Sequence, residues 1–128
     1  MESDFSRFME VEVYDLVARN SAGILGMDKT TMNNLVSLFQ GEASPVDALK
    51  LLIMYIARQM GRGEIDRRTG RELVRTLQGI YGRFGRDREM LRAAVMKFLT
   101  LLKWVYDSRV RVQRGSNFDG LVRAIVGG

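Results

Sequence analysis

The sequence predicts an all-α protein, a compact bundle of five to six helices in a single domain. Three observations carry that expectation. Apolar residues recur at spacings of three and four along most of the chain. Gly rather than Pro punctuates it, with 13 Gly against the single Pro45. No long alternation of apolar and polar residues marks a strand; Val11 and Val13 are the one β-like hint, and they sit inside a longer helical pattern.

The first predicted helix covers residues 5–19, capped by Ser3 or Asp4, with Phe5, Phe8, Met9, Tyr14, Leu16 and Val17 as an imperfect apolar stripe. Residues 21–26 break the pattern. Asp28 caps a second helix, whose Met32, Leu35, Val36 and Phe39 share a face and which Gly41 ends. The third helix has a sharp start: Ser44 as cap, Pro45 in the first helical position and Asp47 three residues after the cap. The run 48–57 that follows is apolar except for Lys50, so this helix is expected at the centre of the fold. Arg58 and Arg62 complement the dipole of its last turn, and Gly61 or Gly63 stops it.

Thr69 and Glu72 have capping-box spacing, which starts a fourth helix near Gly70. Leu73, Leu77, Ile80 and Phe84 form its inner face, with Val74 and Tyr81 beside them. Tyr81 and Phe84 are both expected in the core. Gly79, Gly82 and Gly85 recur at spacing three: either the helix end frays there, or a second helix or a phosphate backbone approaches closely. Asp87 caps the longest helix, which is expected to reach about Arg111 with Leu91, Val95, Phe98, Leu102 and Val105 inward and Arg109 on that same face. Asn117 caps a short last helix, residues 118–126, with Leu121, Val122 and Ile125 inward.

Composition closes most routes to catalysis. Apolar residues are 46% and charged residues 27% of the 128, the balance of a globular domain. With no Cys there is no disulfide frame, iron–sulfur cluster or thiol nucleophile, and with no His no imidazole base or His-ligated zinc. The acidic pairs Glu64/Asp66 and Asp87/Glu89 lack metal-ligand spacing, and no phosphate-binding Gly-rich motif is present. A non-catalytic protein without metal or cofactor is expected. Residues 51–57 are too short to span a bilayer, and the acidic N-terminus lacks the apolar stretch of a signal peptide, so the expected location is the cytoplasm, away from membranes.

The net charge of +5 hides an asymmetry. Residues 1–50 carry four basic and eight acidic groups; residues 51–128 carry sixteen basic and seven acidic. Acidic N-terminal helices (1–41) therefore adjoin a basic helical core (44–126). Arg outnumbers Lys sixteen to four, and its planar donor fork suits phosphate oxygens. A polyanion is the partner such a surface fits. Arg67, Arg68, Arg71 and Arg75 gather at the front of the fourth helix, where cations oppose the helix dipole and a bound phosphate would satisfy both. The competing reading is a solvated face paired with Glu64, Asp66 and Glu72. Lys103, Arg109, Arg111 and Arg114 form a second basic set. Arg7 and Arg19, among Glu10, Glu12 and Asp15, are expected to matter less to nucleic-acid contact than Arg71 and Lys103. Eight Met and the opposed charges of the two halves suit head-to-tail self-association.

Residues 65–77, IDRRTGRELVRTL, and residues 101–109, LLKWVYDSR, together with the closing helix at 118–126, resemble the small subunit of type III CRISPR effector complexes, the Csm-type small protein. The resemblance covers about residues 48–126. The Cmr-type and archaeal type I small subunits share a similar helical plan. It implies a non-catalytic, multi-copy subunit of an RNA-guided complex. Such a subunit would associate with itself and with other effector subunits, and would hold target RNA, or a target DNA strand, and the guide RNA–target duplex by backbone contacts. Arg71 falls on the Arg of the first motif, and Lys103 and Arg109 fall on those of the second. A free DNA-binding transcription regulator is the alternative, with the second and third helices as a helix-turn-helix; the apolar run 51–57 suits a recognition helix poorly.

Overall fold

The computed structural model describes residues 3–41 and 44–127. Among them there are helices and no strands: α1 (Asp4–Arg7), a π-helical turn (Phe8–Glu12), α2 (Val13–Ser21), a short 3₁₀ turn (Ile24–Gly26), α3 (Lys29–Gln40), α4 (Pro45–Gly61), α5 (Arg67–Phe84), α6 (Arg88–Ser108) and α7 (Phe118–Gly127). No helix is long and apolar enough to cross a membrane.

α1, the π turn and α2 run on without a break as one helix over residues 4–21, and Ser3 rather than Asp4 caps it. The π turn explains the imperfect stripe. The Val13 N–H donates to the Phe8 carbonyl five residues back, which inserts one residue and re-phases the helix. Phe8 and Val13 are thereby both fully buried.

Asp28, Ser44 and Asp87 cap α3, α4 and α6 as expected, each side chain accepting from a first-turn N–H. Hydrogen bonds from the Thr31 backbone and side chain hold the Asp28 carboxyl below its ordinary pKa. α5 begins a turn earlier than its capping-box spacing suggests. Asp66 is the cap, its carboxylate accepting from the Arg68 and Thr69 amides at 3.1 and 3.3 Å. Thr69 is 3% exposed, and its Oγ1 has no hydrogen-bond partner. It packs where the 22–26 turn crosses α5, so that a Cβ on Gly23 would collide with Thr69 Oγ1 and lie 3.3 Å from Arg114 Nη2. Asp66→Ala is expected to cost about 1 kcal/mol, seen as a lower urea midpoint. Glu72→Ala should cost only a few tenths, as an exposed ion-pair loss does; equal costs would restore the Thr69–Glu72 box.

α6 is the hub: α2, α3, α4 and α5 all pack on it. The expectation that the third helix forms the centre gives way to this, because α4 leaves Leu51 and Met54 exposed. One core joins both halves of the chain, from Phe8 and Val13 through Leu35, Leu52 and Leu77 to Phe98 and Tyr106. The Tyr106 hydroxyl donates to the Met27 carbonyl at 2.6 Å and ties the end of α6 to the α2–α3 connection. α6 stops at Ser108, short of Arg111, because Arg109 turns left-handed at φ 61°. The following loop is held by Val112, which packs with Ala18 and Leu121.

Three further expectations change. Tyr81 is exposed, and only Phe84 of that pair is buried. α7 turns Leu121 inward but leaves Val122 and Ile125 exposed. Gly79 and Gly82 lie within the last two turns of α5 on its exposed face, where an added Cβ would meet nothing within 4 Å. The helix neither frays there nor packs closely on another.

Candidate nucleic-acid interface

α5 is amphipathic, and its inward Leu73, Leu77 and Ile80 force its Arg residues outward. Starting at Arg67, the helix places Arg68, Arg71 and Arg75 on neighbouring turns. They line a cleft of about 330 Å³ together with Arg19 from α2 and Arg114 and Gly115 from the α6–α7 loop, and Glu72 is the one carboxylate among the lining residues. Gly115 has φ 82°, a turn conformation that a side chain would strain. Arg68, Arg71 and Arg114 have no ion pair among the described residues. Glu72 reaches Arg19 and Arg75, each at 3.9 Å, so two of the five guanidinium groups are loosely held across the cleft. Five Arg around one Glu is a net-positive recess with donors to spare, the arrangement that holds phosphate oxygens.

The cleft runs on into a longer groove along α5. A second recess of about 400 Å³ shares Arg19, Glu72 and Arg75 with it and continues past Gly79 to Arg83, but Glu12 and Asp15 also line it, so its charge is balanced rather than positive. At Gly79 the missing side chain leaves the helix backbone open to that groove. Of the readings of the Gly spacing, the structure removes close packing against a second helix at Gly79 and Gly82.

Arg83 closes the far end and is committed to structure. It bonds Asp4 and Glu12 at 2.8–3.4 Å and lies 5.3 and 5.1 Å over the Phe8 and Phe84 rings. Hydrogen bonds to Glu12 and then to Asp4 raise its pKa above an already high ordinary value.

The predicted site residues divide. Arg68, Arg71 and Arg75 come together; Arg67 is exposed but does not line the cleft. The second basic set does not hold together. Lys103 is spent on Asp107 at 2.7 Å, one turn on in α6. Arg109 caps α6 and lies 5.1 Å over the Tyr106 ring, exposed rather than on the core face. Arg111 lines a separate cleft, and Arg114 joins the α5 cluster. Arg19, expected to matter less because of its acidic segment, stands in the cleft. Its signal is absent from the sequence because it arrives by the packing of α2 against α5. Among the described residues no group of three or more carboxylates could hold a metal ion.

The fold and the site define a class: a small all-α protein with an Arg-lined cleft. Comparison with family models, with curated proteins and with solved structures gives no match.

Proposed function

We propose that this chain is a non-catalytic nucleic-acid-binding subunit that grips the sugar–phosphate backbone, in the manner of the small subunit of an RNA-guided CRISPR effector complex. The observation that carries the binding reading is the convergence of five Arg, from three separate segments, on one recess with a single carboxylate. Contacts from Arg forks to phosphate oxygens position a nucleic acid without reading its sequence. The complex-subunit reading rests on the resemblance of residues 65–77 and 101–109. Trp104, 65% exposed, shares a recess with Tyr14, Met96 and Leu101, an apolar surface that supports association with further subunits or a second copy. The regulator alternative is less favoured. α4 would be its recognition helix, and α4 shows Leu51 and Met54 to solvent.

The test is reconstitution. Added to a guide-loaded type III complex lacking its small subunit, the chain is expected to incorporate in several copies and to strengthen target-strand retention in a salt-dependent way. Sequence-specific duplex DNA binding by a chain that ignores the complex would favour the regulator.

A further inference from the structure

A second basic cleft lies on the other side of the α6–α7 loop. Arg111, Gln113 and Ser116 from the loop and Arg123 from α7 line about 420 Å³ over a floor of Gly120 and Ala124, with no carboxylate among the lining residues. The cleft is built rather than incidental. Ser116 Oγ donates to the Gln113 carbonyl at 2.6 Å and fixes the loop. A Cβ on Gly120 would lie 3.1 Å from the Ser116 side chain, a tight contact that Gly avoids. Two first-turn amides of α7 are already used, Phe118 N–H by Asp15 and Gly120 N–H by Asn117, and the charged side chains of the cleft are Arg111 and Arg123. Neither has an ion pair among the described residues.

The loop deals its side chains to two sides. Arg111 and Gln113 enter this cleft, Val112 between them is buried, and Arg114 enters the α5 cleft. We propose that both clefts hold the backbone of one single-stranded nucleic acid, which crosses the loop between them. This rests on the backbone-binding function proposed above and narrows its ligand to a single strand. The reason is stiffness. Arg111 and Arg114 are three residues apart, at most about 10 Å along the chain, and they line different recesses. A base-paired helix holds its phosphates at fixed places, whereas a single strand turns between neighbouring phosphates and can seat one in each recess.

The test uses the full chain with fluorescein-labelled oligouridylate of about 20 nucleotides and a base-paired RNA of the same length, titrated over a range of salt. The single strand is expected to bind tighter and with the steeper salt slope. Arg111→Ala with Arg123→Ala is expected to lower that slope by about 1.4, two contacts at about 0.7 each, with the melting temperature unchanged. Ala124→Glu, which keeps both Arg but puts a carboxylate on the floor, should weaken the single strand and spare the duplex. If these variants bind like wild type while Arg71→Ala with Arg114→Ala loses slope, the second cleft is wrong and the function proposed above stands. A duplex that binds as tightly as the strand, and loses as much in the variants, overturns the single-strand claim. If no variant of either cleft changes binding, both readings fall.

Discussion

Replacing Arg68, Arg71 and Arg75 together by Ala is expected to lower affinity for single-stranded RNA about a hundredfold at about 0.1 M salt. Each lost phosphate contact removes about 0.7 from the slope of log K against log salt. At about 0.1 M that is roughly fivefold per contact, and three contacts compound. Stability should barely change, because all three side chains leave the helix opposite the buried Leu73 and Leu77, and only Arg75 has an ion pair, a long one at 3.9 Å. Glu72→Gln is the mirror experiment. It removes the carboxylate that holds Arg19 and Arg75 and should tighten binding severalfold. Arg7→Ala is the control, since Arg7 faces Glu12 and lines neither recess; Arg19→Ala does not serve, because Arg19 stands in the cleft. Fluorescence polarisation across salt gives the slopes and thermal unfolding gives the stability. A fall in melting temperature with unchanged affinity would make the cluster a structural ion-pair network.

The helices were legible where local chemistry fixes them. Asp28, Ser44 with Pro45, and Asp87 start their helices because a short polar side chain finds a free N–H within three residues, and that needs no tertiary context. The start of α5 is ambiguous in the sequence because two caps, Asp66 and Thr69, compete within four residues. Asp66 takes the role once Thr69 is buried beneath the turn at Gly23, a contact between residues 46 apart. The π turn was illegible for the same reason: one inserted residue shows only as a blurred stripe until the core decides which residues to bury.

The same division runs through the site. Arg68, Arg71 and Arg75 follow from helical spacing alone, whereas Arg19 and Arg114 join them only through packing. Charge segregation along the chain also dissolves partly in space. Arg83 of the basic half is held by Asp4 and Glu12 of the acidic half, and Arg19 of the acidic half meets Glu72 of the basic one. A net charge per segment therefore points to a polyanion without locating its seat.

Phe8→Ala is expected to be the most destabilising single change at the walls of the long groove, costing about 3–5 kcal/mol. Phe8 is fully buried, meets the edge of Phe84 at 5.3 Å, and carries the Arg83 guanidinium 5.3 Å above its ring. Its carbonyl is also the acceptor that closes the π turn. Truncation leaves a cavity between the first helix and α5 and removes the platform under Arg83, while the ion pairs with Asp4 and Glu12 remain. Arg83→Ala separates the two contributions. About a third of that side chain is exposed, so solvent screens its pairs, and its loss should cost only about 1–2 kcal/mol. The Arg83 contribution should shrink as salt rises, whereas the Phe8 contribution should not. Urea unfolding of both variants at low and high salt measures this. A cost below about 1 kcal/mol for Phe8→Ala would mean that the π-helical turn, not the ring it buries, positions the first helix against α5.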